Sequence, residues 1–243
     1  MVSRMIIDIN TCFGFYPYRK VDASLEILKS ILKSHQAKAL SLSLKGIFYD
    51  ATEGNEETLS LLKDETNVYP IATYDPRAYP KGIELLEGLK SKGFLGIAFF
   101  PRLQSWVIDF APFRETLEIL KNESIPIIIH TSGYGELTKI SLLAREIKSP
   151  FIIAGFNYSN LSEAIAVMKK VENIYIESHL FNSPDALEYL KKYTGTDRIV
   201  FGSGAPLLSF ETALGVIEKS YLSDEEKEGI LSRNLERIIG VKL

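Results

Sequence analysis

The chain is poor in the residues that most often advertise chemistry. It has one cysteine (Cys12), three histidines and one tryptophan in 243 residues. A single thiol excludes an internal disulfide and fits a reducing compartment, so a cytoplasmic location is expected. Neither sign of charge dominates: 28 Lys and Arg stand against 31 Asp and Glu. The basic residues are scattered, which argues against a nucleic-acid groove or an anionic membrane surface. Long apolar runs are also missing. The longest, at 125–129 and 151–156, are strand-sized and far below a membrane span. No extended apolar segment precedes Asp8, so no secretory signal is visible. No G-x-G-x-x-G turn follows the first apolar run. Asn10-Thr11-Cys12-Phe13-Gly14 stands there instead and argues against dinucleotide binding. Repeats, low-complexity tracts and Pro/Ser-rich linkers are absent, and residues 1–243 are read as one domain.

What is present is alternation. Strand-like runs at 5–10, 37–43, 68–74, 95–99, 126–130, 151–155, 173–177 and 198–201 are separated by helical stretches. Those stretches have apolar residues at three- and four-residue spacing, as in Leu25, Leu28, Ile31 and Leu32. Ser183-Pro184 reads as an N-cap with a first-turn proline, and Ser209 as a further cap. Ser223 with Glu226 reads as a capping box that opens a terminal helix near 223–239. Nearly continuous apolar strands require burial on both faces, which a parallel sheet covered by helices provides. Eight strand–helix units in a chain of this length are the arithmetic of a (β/α)8 TIM barrel; a doubly wound open sheet is the alternative.

In such a barrel the chemistry lies at the C-terminal ends of the strands. His130 ends one apolar run and opens into Thr131-Ser132-Gly133. An imidazole at a strand tip faces a site at lower cost than it sits in a core, although a satisfied core histidine is the plainer reading. Asn10, Cys12, Arg102, Gln104, Asn157, Glu177 and His179 fall at other strand ends, with Phe100, Trp106 and Tyr134 available as walls. This rim suits a small organic ligand. The planar fork of Arg102 is suited to an acidic group, with Gln104 beside it. His35 near the end of the first helix reads as a dipole partner, Asp75 before Pro76 as a loop cap, and Trp106 as packing. Asp8, inside the first strand, reads as a support for its neighbours. Glu177 reads as a rim ion-pair partner and His179 as a solvated side chain.

Several stretches follow a known pattern: Met5-Ile-Ile-Asp8-Ile-Asn10-Thr-Cys12-Phe-Gly14, Gly96-Ile-Ala-Phe-Phe-Pro101-Arg-Leu-Gln104 and Pro126-Ile-Ile-Ile-His130-Thr131. They are followed by Glu172-Asn-Ile-Tyr-Ile-Glu177, Thr196-Asp-Arg198-Ile-Val-Phe-Gly202-Ser203 and Ser232-Arg-Asn234-Leu-Glu-Arg-Ile-Ile-Gly240. In this order, over essentially the whole chain, the sequence resembles the amidohydrolase-related proteins. The resemblance implies a TIM barrel and, in its usual form, hydrolysis by metal-activated water or a related lyase reaction. The catalytic positions depart from it. Where the first-strand motif I-D-x-H-x-H has its histidines, this chain has Asn10 and Cys12. The sixth-strand histidine position falls on Gly155, and the aspartate of the eighth-strand turn on Gly204. Only His130, at the fifth-strand metal-binding position, remains.

A hydrolytic metal needs about three protein donors and an open position. The implied cofactor is therefore none, or a single divalent, zinc-like metal on His130 with Cys12 and His179 completing the set. Without a metal, Cys12 and His130 form a candidate thiol–imidazole pair, with a depressed thiol pKa as its signature. The plainer reading makes Cys12 a small buried hydrophobe. Two function classes follow. One is a small-molecule hydrolase or lyase centred on His130 and Cys12, with Asn10, Arg102, Gln104, Asn157 and His179 contacting substrate. The other is a non-catalytic member that binds a small ligand or a protein partner. A homo-oligomer is compatible with either.

Overall fold

The computed structural model describes residues 4–183 and 185–243. Eight parallel strand segments run round the molecule in chain order. They are β1 (Ile6–Phe13), β2 (Ala37–Ser43), β3 (Val68–Pro70, resuming at Ala72–Thr73), β4 (Ile97–Phe99), β5 (Ile127–His130), β6 (Phe151–Ala154), β7 (Ile174–Glu177) and β8 (Ile199–Val200). The first half of β3 pairs with β2 and the second with β4, so the strand joins the two halves of the ring despite its break at Ile71. Closure comes between β8 and β1: Ile9 N donates to Phe201 O at 3.1 Å, and Gly204 N to Asn10 O at 2.8 Å. The fold is the TIM barrel that the alternation predicts.

The strands are rich in isoleucine because each is covered on both faces. Successive side chains point to opposite faces. Ile7, Ile9, Leu40, Leu42, Ala98, Ile128, Ile152 and Val200 form a cluster inside the ring. Ile6, Ile97, Phe99, Ile127, Ile129, Phe151, Ile153 and Ile199 belong to the larger cluster under the helices. Fully burying an isoleucine contributes about 2 kcal/mol, so a one-residue slip in any strand would be costly.

The helices are α1 (Leu25–Ser34), α2 (Leu44–Phe48), α3 (Ala51–Leu62), α4 (Ala111–Leu120), α5 (Glu136–Glu146), α6 (Leu161–Met168), α7 (Ala186–Thr194) and α8 (Phe210–Glu218), with α9 (Asp224–Glu228) and α10 (Asn234–Ile239) joined by one π-helical stretch, Gly229–Arg233. Ser24 caps α1, Ser209 caps α8, and Ser223 and Glu226 form the capping box of α9. The expected cap and proline at Ser183-Pro184 involve Pro184, which lies outside the described residues; α7 begins after Asp185, whose φ is 60°. One unit departs from the expected pattern. Between β3 and β4 the described chain has only two 3-10 turns, Pro76–Ala78 and Ile83–Leu86. Gly82, Gly88 and Gly93 there all take positive φ, and together with Pro76 and Pro80 they leave no uninterrupted stretch for an α-helix.

Candidate functional site

The end of β1 is shaped by a buried carboxyl group. Asp8 accepts hydrogen bonds from Asn10 N at 2.9 Å and Ser203 N at 3.1 Å, and it bonds to the Ser203 hydroxyl. Burial pushes its pKa up to about 7 against these bonds, and the nearby charge of Glu177 pushes the same way. The register of β1 against β2 shifts between Asp8 and Thr11. Asn10, within that bulge, and Cys12, beyond it, both line the cavity at the mouth of the barrel. Asp8 thus supports its neighbours, as expected.

A second buried carboxylate closes β7. Glu177 is fully buried, which corrects the expectation of a rim ion pair. Its Oε1 accepts from His179 N at 2.5 Å. Its Oε2 pairs with His179 Nδ1 and accepts from Asn10 Nδ2 at 3.1 Å. Nothing larger than glycine fits opposite: a Cβ on Gly202 would lie 2.1 Å from Glu177 Oε1. His179 is not the solvated residue of the plainer reading, since its side chain is only 9% exposed. Burial alone would lower its pKa, but the charge and hydrogen bond of Glu177, with the charge of Asp8 beyond, raise it overall. Because Nδ1 is engaged by Glu177, Nε2 is the ring nitrogen left for a ligand.

His130 sits at the tip of β5 and stacks on Phe100, with ring centroids 4.4 Å apart and planes inclined by 26°. Desolvation, reinforced by His179, pushes its pKa down to about 3. It is therefore a neutral imidazole beside a protonatable one. Cys12 shares the cavity with His130, but no hydrogen bond joins them among the described residues. Burial, with the charge of Asp8, pushes the thiol up to about 12, the opposite of the activated thiol envisaged from the sequence. Cys12 is here a small wall residue.

These groups share one cavity of about 160 Å³ at the C-terminal mouth. Its floor is the inner face of the strands: Ile9, Leu42, Ile71, Ala98 and Ile128. Its sides are Tyr16, Leu44, Ile47, Phe48, Phe100, Leu103 and Leu207. Asn10, Cys12, His130 and His179 are therefore brought together as expected. Arg102, Gln104 and Asn157 do not line this cavity. Arg102 is exposed. Gln104 is buried, accepts from Trp106 Nε1 at 3.1 Å and donates to Ile47 O, so its amide is committed to packing. Asn157 caps a turn through Ser159 N. The aromatic wall from Tyr16 and Phe48 was missed, although Phe15-Tyr16-Pro17-Tyr18 directly after β1 was a visible signal.

The donor set does not suit a hydrolytic metal. Among the described residues no group of three His, Cys, Asp or Glu side chains could hold an ion. The expected trio of His130, Cys12 and His179 lines the cavity but does not form such a group. Gly155 and Gly204 are fixed by backbone shape. Gly155 has φ of 81°, and a Cβ there would lie 2.3 Å from Thr131 O. Gly204 has φ of 74°, with Leu208 Cδ1 2.9 Å from such a Cβ.

A family model described as Amidohydrolase matches residues 69–241. No curated protein matches the chain. Solved structures do. The probable 2-pyrone-4,6-dicarboxylic acid hydrolase of Acinetobacter baumannii, with citric acid bound, superposes with a TM-score of 0.74 at 13% identity, covering 97% of this chain and 99% of that one. The 5-carboxyvanillate decarboxylase of Sphingomonas paucimobilis does so with 0.72 at 12% identity, covering 98% and 100%. The dihydroxybenzoic acid decarboxylase of Polaromonas, with bound manganese and the inhibitor 2-nitroresorcinol, gives 0.70 at 14% identity, covering 99% and 97%. At such identities the likeness is one of fold. No helix among the described residues is long and apolar enough to cross a membrane.

Proposed function

The chain belongs to the amidohydrolase family, whose model its residues 69–241 match, and from that membership we propose a small-molecule site of the hydrolase or lyase kind that works without a metal. Its ligand is a single-ring carboxylate. The observation that carries the reading is the Asn10–Glu177–His179 network on one wall of an otherwise apolar cavity. A dry cavity of about 150 Å³ is known to hold one benzene ring, and this one measures about 160 Å³. The apolar floor takes the ring, and His179, its pKa raised by Glu177, meets the carboxylate through Nε2. His130, neutral and held flat by Phe100, supplies a hydrogen bond beside it. Two imidazoles with pKa values moved in opposite directions make a natural donor and acceptor for proton transfer. The ligand class also draws on the similar folds, several of which are named for ring carboxylates.

Binding without turnover is a second reading. It is favoured by the protonated thiol of Cys12, which leaves no activated nucleophile in the cavity. A product screen on chelator-treated protein separates the two, using 2,6-dihydroxybenzoate for decarboxylation and 2-pyrone-4,6-dicarboxylate for ring opening. Turnover that falls at least about 100-fold in His179→Gln supports proton transfer by this residue. Binding with no product supports the second reading. Turnover that requires added manganese or zinc contradicts the metal-free site.

A further inference from the structure

Residues 14–23, between β1 and α1, form a closed surface loop. Gly14 N donates to Ala23 O at 2.7 Å, so the ends of the loop meet, and Gly14 opens it with φ of 111°. Compact loops of this kind, packed by their own side chains, are often functional. Three of its first five residues are aromatic (Phe15, Tyr16, Tyr18). Tyr16 and Tyr18 meet Phe48 edge to face, with centroids 5.8 and 5.5 Å away, and meet each other at 5.7 Å. Tyr16 and Phe48 line the cavity, while Tyr18 stands behind them, 64% exposed. The Arg19 guanidinium donates to the Leu207 carbonyl, which fastens the loop to the connection after β8, and Leu207 lines the cavity as well.

We infer that Tyr16 and Phe48 set the size limit of the site, admitting one ring and excluding two, and that Tyr18 is the residue that positions them. The inference rests on the reading of this cavity as a small-molecule site. Edge-to-face contact fixes the planes of both rings. A close-packed aromatic cluster cannot make room for a fused second ring without losing those contacts. Ser43, which caps α2, and the loop base at Ala23 hold the two halves of the cover from opposite ends. The cover thus has a defined shape and is more than a chance cluster of exposed aromatics.

Calorimetric titration with two ligand pairs tests this: benzoate against 2-naphthoate, and the uncharged benzamide against 2-naphthamide. The wild-type protein should prefer the one-ring member of a pair by at least about tenfold. Phe48→Ala should bring the two members close to parity by admitting the larger one, and Tyr18→Ala should move part of the way. Tyr16→Leu keeps bulk without an aromatic edge, and it guards against a Phe48→Ala protein that fails to fold. If the one-ring ligands bind and folded variants still exclude two rings, the size-limit inference is overturned and the site reading stands. If the uncharged pair behaves as described but benzoate does not bind, the cover is upheld and the carboxylate reading fails. If no ligand of either pair binds the wild type, both fall.

Discussion

Gly202 is a residue whose missing side chain makes the polar wall possible. An added Cβ would overlap Glu177 Oε1 at 2.1 Å, so Gly202→Ala must displace the carboxylate that holds His179. Overpacking of this kind costs about 1–3 kcal/mol. The expected result is a lowered Tm together with weakened ligand binding; an unchanged Tm would mean that the carboxylate has room to move. Asp8 gives a pH-dependent prediction. Its pKa is raised from 3.8 to about 7, chiefly by burial. The folded protein therefore keeps a proton that the unfolded chain releases above about pH 4, and this contribution to stability declines as pH rises through about 7. Urea unfolding should show lower stability at about pH 8 than at about pH 5, and Asp8→Asn, which mimics the protonated acid, should flatten the difference. An equal slope in the variant would place the titration elsewhere. At this scale the sequence was legible where chemistry is local. Asp75 caps the turn at Pro76, His35 ends α1, and Trp106 packs against Phe99 and Phe113. The burial of Glu177 was misjudged, in part because Asn10, one of its hydrogen-bond partners, lies 167 residues before it in the chain.

Among the elements, α2 links packing to the site. It is five residues long and carries Ile47 and Phe48 into the cavity wall. It can do so because α3 touches it backbone to backbone: a Cβ on Gly54 would lie 2.1 Å from Gly46 N. Gly54→Ala should therefore push α2 outward, costing about 2 kcal/mol, and should loosen the discrimination between one ring and two. A stable variant with unchanged discrimination would show that the helices separate without moving Phe48. Long periodic elements such as β2 and α1 were readable from residue spacing, since burial on a fixed face demands it. The short α2 was not, because five residues are too few to show a period. The connection between β3 and β4 was misread as helical, its apolar spacing outweighing glycines whose positive φ ends any helix.

For the whole molecule, a ring of buried isoleucines forms the barrel, and its mouth carries the network of Asn10, Glu177 and His179. Closure depends on hydrogen bonds between β1 and the chain after β8, and these also carry Asn10 and Gly204 to the rim. Fold and site are thus coupled at this seam. Positions 155 and 204 hold glycines whose backbone admits no side chain, and Asn10 at the rim is an amide bound to Glu177. The central claim is that His179, held by Glu177, does the work at this mouth that an ion would otherwise do. Calorimetric titration of chelator-treated protein with benzoate, comparing wild type and His179→Gln, tests it most directly. The account predicts that binding survives removal of metal and weakens at least about tenfold in the variant, as expected when a charged hydrogen bond to the ligand is lost. Binding that disappears on chelation and returns with manganese, in wild type and variant alike, would contradict it.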